Sequence, residues 1–175
     1  MGNEIKEITI NPATDLIFDN KVREACKSCK RYTKKATCPP YVETVEYYKS
    51  ILPKYKYGKI FYKRFEVPKD YTEPTDEESK PNTLGRKSSL EIHNHLLKER
   101  MKLNKEGHYF VVILGSGSCK LCTTCDFPCA FPAQSVIPME GTGMDVFAMM
   151  KKQGINDINF PINSYFYRVG CILYD

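Results

Sequence analysis

The sequence predicts an α+β fold in one domain: a mostly antiparallel sheet with helices packed on it and two cysteine-rich loops gathered at one end. Three observations lead there. Stretches of strand-like composition near 59–67, 108–114 and 165–174 stand apart from stretches of helical spacing near 42–52, 88–106 and 144–153. They lack the regular strand–helix alternation of a doubly wound sheet. The 175 residues lie within the size of one domain that buries its own core, so 1–175 is read as one unit. Seven of the eight cysteines fall in two runs, 26–38 and 119–129.

Taken in order, Ile5, Ile8 and Ile10 precede Asn11-Pro12 and then Leu16-Ile17-Phe18, the pattern of short strands or an arm laid on a core. Asn20 can cap a short helix through Val22 and Ala25 that delivers Cys26. In 42–52, Val42, Val45, Tyr48 or Lys49, and Leu52 share one helical side, and Pro53 ends it. Lys59 to Val67 reads as a strand rich in aromatic and β-branched residues. Its aromatics alternate with Lys63 and Arg64, a pattern compatible with base stacking, but the expectation is a buried strand face beside a charged edge.

Residues 68–84, with three prolines and five acids against two lysines, predict an exposed, mobile acidic loop. Ser88-Ser-Leu-Glu91 has capping-box spacing, and Leu90, His93, Leu97 and Met101 follow on one helical stripe up to Gly107. His93 joins that stripe as a core histidine, whereas His95 points elsewhere, so the pair is not expected to share a metal. His108 to Leu114 is a continuous apolar run of the kind found at a sheet centre, and it leads straight into the second cysteine run. Pro132 and Pro138 keep the chain irregular until Asp145 starts a helix that Gly154 ends, with Met149 and Met150 in the core. Tyr165 to Tyr174 alternates, which sets Cys171 among apolar neighbours as a buried thiol, with a ligand role as the alternative.

The second run, Cys119-x2-Cys122-x2-Cys125-x3-Cys129, is the spacing with which thiolates wrap a small iron–sulfur cube, each short turn returning a sulfur to the same side. Gly115-Ser-Gly-Ser118 ahead of it lets main-chain N–H groups bend toward sulfur. The first run, Cys26-x2-Cys29-x8-Cys38-Pro39-Pro40, supplies three more thiols. One or two [4Fe-4S] clusters are the expectation. Zinc is the alternative, although it usually draws its cysteines from two separated pairs. In two-cluster ferredoxins the fourth cysteine crosses to the other cube, so Cys129 is expected to serve the Cys26, Cys29, Cys38 site.

The start Met-Gly-Asn-Glu-Ile-Lys-Glu has no apolar leader and no stretch approaches 18 apolar residues, which with eight cysteines predicts a cytoplasmic protein without a membrane span. From 21 to 64, thirteen Lys or Arg stand against three Glu, a local balance of +10. Such a half can dock an acidic redox partner or hold a small anionic substrate near Lys27, Lys30, Arg31, Lys34 and Lys35. No Ser/His/Asp arrangement, P-loop or dinucleotide fingerprint is present.

The ordered set of Cys26, Cys29, Cys38-Pro-Pro-Tyr41, Gly115-Ser-Gly-Ser-Cys119, Cys122, Cys125, Cys129, Pro138-Met-Glu140 and Gly143-Met-Asp-Val146 resembles the small "predicted metal-binding protein" family of uncharacterised function, widespread in anaerobic bacteria and archaea. The resemblance covers most of the chain. It implies iron–sulfur or metal binding by the seven cysteines at 26, 29, 38, 119, 122, 125 and 129, and no settled reaction. This chain departs from it in carrying Ala130 where many relatives have a basic residue, and Cys171 where an apolar residue is more usual.

Two cubes need eight protein ligands. With Cys171 the count closes, which suits an electron-transfer module; with seven thiolates one iron stays open, which suits a cluster enzyme acting on sulfur or a small anion. A zinc-stabilised interaction or nucleic-acid-binding protein is the third class, and it lacks a supporting RNA-binding signature.

Overall fold

The computed structural model describes residues 4–72, 83–158 and 164–175. Five strands form one sheet in the order β1 (Lys6–Ile10), β2 (Tyr57–Glu66), β5 (Tyr165–Tyr174), β3 (Val111–Gly115), β4 (Ile137–Pro138). All neighbours are antiparallel except β3 and β4, which pair parallel over two residues. The expected α+β architecture is what the chain adopts. The expected acidic loop falls mostly on 73–82, outside the described residues.

Period-two alternation divides the core between the two faces of the sheet. Ile60 and Tyr62 of β2 and Val169, Cys171 and Leu173 of β5 face a cluster that includes Leu52, Met139, Met144, Met149 and Met150. Phe61 and Ile172 face the opposite cluster with Ile92, Leu96, Leu103, Ile113 and Val136. The first face is covered by α1 (Pro12–Asp15), α3 (Val45–Ile51) and α5 (Val146–Lys152), and the second by the long α4 (Leu84–Lys105). Helix α4 crosses close over the central strand: a Cβ on Gly170 would stand 2.8 Å from Leu96 Cδ1 and 2.9 Å from Ile92 Cγ2.

Three details depart from the sequence expectations. The helix α2 (Asn20–Ala25) is capped by Asp19, whose side chain accepts from the Lys21 N–H, one residue before Asn20. Helix α4 begins at Leu84 under the Thr83 cap, which accepts from the Arg86 N–H; Ser88 and Ser89 are buried inside the helix, not at its start. The central strand is β5 and not the run at 108–114, where Tyr109 and Phe110 lie exposed ahead of β3.

Other expectations hold. Asp145 caps α5 through the Ala148 N–H, Gly154 follows with φ +84°, and Met149 and Met150 are buried. Tyr62 and Phe61 are core residues, Lys63 bonds Glu91 at 2.6 Å, and Arg64 lies 3.8 Å over the Tyr165 ring. Phe61 and Tyr62 thus face the core, while Tyr57 at the start of β2 is exposed.

Candidate metal centre

The first cysteine run is wound by short turns. Helix α2 passes into a 3-10 turn at Cys26–Ser28, and the N–H groups of Cys29, Tyr32, Lys34, Cys38 and Tyr41 each bond a carbonyl three residues back. Thr33 takes a left-handed φ of 65°, and its N–H bonds the Pro39 carbonyl, which closes the loop on itself. The Arg23 guanidinium donates to the carbonyls of Glu43, Val42 and Gly141, and so ties α2 to the segment after β4.

These turns bring Cys26, Cys29 and Cys38 to one wall of a chamber of about 410 Å³, shared with Val22, Ala25, Tyr32, Gly117, Ser118, Glu140, Met144 and Phe147. Burial pushes the Cys38 thiol up to about 12, with the sulfurs of Cys29 and Cys26 adding to the effect. Cys26 is raised by burial and by the Glu140 carboxylate. Three thiols so placed cannot ionise together unless a cation supplies the compensating charge, so metal uptake here displaces protons and tightens as pH rises.

The second run follows β3. Its lead-in loop is pinned from two sides, since Ser116 Oγ accepts from the Val169 N–H and its carbonyl accepts from Ser89 Oγ. Gly117 has φ +69°, and Arg168 reaches Ser88 Oγ and the Gly85 carbonyl beside it. Cys119, Cys122, Cys125 and Cys129 line a separate small cup with Lys35, Thr37, Leu121, Phe131 and Ser135. Burial and then the Cys119, Cys125 and Cys129 sulfurs raise the Cys122 thiol. Cys129 lines this cup with the other three cysteines of its run.

The two runs meet at one end of the sheet. The Ala36 N–H donates to Cys125 Sγ at 3.3 Å, and the Tyr41 and Phe127 rings stand 4.8 Å apart. Lys35 is only 3% exposed and lines the cup of the second run. Lys27 pairs with Glu24 at 2.6 Å, while Lys30 and Lys34 are exposed.

Cys171 stands apart from both groups, fully buried in β5 among apolar side chains. His93 is buried and its Nε2 lies 2.6 Å from the Gln134 carbonyl, as a satisfied core histidine. All eight cysteines are free thiols. Among the described residues no three His, Cys, Asp or Glu side chains converge closely enough to hold one metal ion, and no helix is long and apolar enough to cross a membrane.

Sequence reasoning gave the Ser118 side chain no role, and Glu140 only a place in the family pattern. The Oε2 of Glu140 and the Oγ of Ser118 are out of solvent without a hydrogen-bond partner. The readable signal was a charged residue set between Pro138-Met and a Gly-Thr-Gly turn.

No curated protein and no solved structure matches the chain. Over residues 9–174 it matches the model of the family described as Predicted metal-binding protein (DUF2284), and to that family of metal-binding proteins the chain belongs.

Proposed function

We propose that this chain is an iron–sulfur protein that carries electrons, with a [4Fe-4S] centre in the four-cysteine cup and a second centre on Cys26, Cys29 and Cys38. The observation that carries the reading is the gathering of Cys119, Cys122, Cys125 and Cys129 around one small cup, a full thiolate set for one cube. Four cysteines within eleven residues at this spacing fit a cluster better than zinc, which usually draws its cysteines from two separated pairs.

When bound, a cube supplies reversible one-electron reduction. The protein's part is electrostatic. The Ala36 N–H donates to Cys125 Sγ, and buried Lys35 sets a cation beside sulfur that gains negative charge on reduction. Leu121 and Phe131 give the cup an apolar lining. Exposed Lys30 and Lys34 beside it, in the basic half of the chain, suit an acidic redox partner. Reduced thiols throughout suit a reducing compartment such as the cytoplasm.

The test is iron, zinc and acid-labile sulfide content with the visible spectrum, on protein purified without oxygen. Two cubes give about eight iron and eight sulfide and a broad brown absorption that bleaches on reduction and returns on reoxidation. About four iron confines the reading to the four-cysteine cup. Colourless protein with stoichiometric zinc overturns it, and a cluster destroyed by one-electron reduction overturns the electron-carrying role.

A further inference from the structure

The two cysteine groups are not independent parts of the fold. Cys38, a thiol of the first group, lies between two contacts with the second run. Two residues before it, the Ala36 N–H donates to Cys125 Sγ at 3.3 Å. Three residues after it, the Tyr41 ring meets at 4.8 Å the ring of Phe127, which stands midway between Cys125 and Cys129. A thiol of one group is thus bracketed by contacts with the stretch that carries two thiols of the other.

The backbone between these contacts has little room to move apart from Cys38. The Cys38 N–H donates to the Lys35 carbonyl at 3.0 Å, which closes a four-residue turn over 35–38. The Tyr41 N–H donates to the Cys38 carbonyl and the Thr33 N–H to the Pro39 carbonyl, and Pro39-Pro40 fix two successive φ angles. Lys35 and Thr37 are 3% and 8% exposed, and both line the four-cysteine cup. One turn therefore carries a thiol of the first group and part of the wall of the second.

Charge supports the same link. Two thiolate-rich centres repel each other. Lys35, in the cup wall, together with Arg31 opposes the rise that burial and the neighbouring sulfurs impose on the Cys38 thiol, so one cation acts on both sets of sulfurs.

We infer that the turn at 35–38 couples the two groups, so that metal held by either one slows loss of metal from the other. Metal on Cys26, Cys29 and Cys38 fixes the turn, and the fixed turn keeps the Ala36 N–H on Cys125 and the cup wall in place. A loaded cup in turn anchors Cys125, and through it the turn that presents Cys38, because coupling of this kind acts in both directions. The inference rests on the preceding reading only in requiring metal in both groups; which metal it is does not enter.

The experiment follows metal release from full-length protein, purified without oxygen, to excess 4-(2-pyridylazo)resorcinol, which colours with iron and with zinc. Iron, zinc and sulfide are measured on the same samples. Cys26→Ala disables the first group and isolates the cup; Cys122→Ala disables the cup and isolates the first group. The wild type releases its metal roughly tenfold more slowly than the sum of the two variant traces, within the range usual for coupled sites. Ala36→Pro keeps all seven clustered thiols and removes the N–H donated to Cys125, at the second position of the turn, which suits proline. Its trace falls to that sum.

A wild-type trace that already equals the sum, including one in which a group takes up no metal, overturns the inference. Ala36→Pro also tests it without the cysteine variants: both shares of metal leave faster, and a change in one share alone, or in neither, overturns it. Colourless zinc protein with coupled release refutes the iron–sulfur reading and keeps the inference; full iron and sulfide with additive release do the reverse.

Discussion

Two buried cysteines show how one residue type takes different roles by its surroundings. Burial alone pushes the Cys171 thiol up to about 12, and no other titratable group contributes. Cys38 reaches the same value with two further sulfurs beside it. Cys171 is therefore packing, and Cys171→Ala will cost roughly 1 kcal/mol of stability, in the range for removing a small buried group, while leaving iron content unchanged. A loss of iron in that variant would make Cys171 a ligand after all. The alternation of 165–174 made its burial legible, because a strand with one buried face fixes which side chains share it. His93 was legible for the same kind of reason. Its burial lowers its pKa below the ordinary 6.5, so the folded state binds fewer protons than the unfolded one as the pH drops. Stability from this group is full above about 6.5 and is lost as pH falls from there through the folded pKa. Urea titrations of wild type and His93→Phe across that window will show the slope in the first and not in the second. The unpartnered Glu140 Oε2 and Ser118 Oγ stayed hidden because whether a buried atom finds a partner depends on the assembled fold, which no local pattern encodes.

At the scale of elements, the 29–38 segment serves two centres: its cysteines belong to one, and Lys35, Ala36 and Thr37 cover the other. Lys35→Met keeps the length of the side chain and removes its charge. It will lower the midpoint potential of the four-cysteine centre by roughly 60 mV, one tenfold step in a one-electron equilibrium, read by EPR-monitored redox titration. An unchanged or higher potential would show that the lysine's charge is not felt there. The elements themselves were mostly readable, and the misreadings have physical causes. Ser88-Ser-Leu-Glu91 looks like a cap, but Ser88 Oγ donates back to the Gly85 carbonyl within the helix and Ser89 Oγ donates across to the Ser116 carbonyl, so neither hydroxyl is free to cap. The 108–114 run was read as the sheet centre because continuous apolar sequence suggests burial on both faces. Its first aromatics are instead exposed, and the two-residue β4 leaves that side of the sheet near its edge. Phe127, two residues before Cys129, stacks against Tyr41, three residues after Cys38, a contact between the two runs that no local spacing encodes.

Across the whole molecule, the sequence spacing revealed which thiols form sets, and the fold adds where the sets lie: both at one end of the sheet, in contact through Ala36 and Cys125. The sheet that carries them has a further property. Its middle strand, β5, is the last of the five along the chain, and it separates β2 from β3 with ten residues paired on one side and four on the other. Strands β1 and β2 can join as soon as they are made, but β3 has no place beside them until β5 arrives. During synthesis the seven clustered cysteines therefore emerge before the platform that will hold them together exists. Long-range pairings of this kind close slowly. A nascent chain halted before residue 165 thus lacks the strand that joins β2 to β3, and only α4, packed on both, holds the two cysteine runs' supports together.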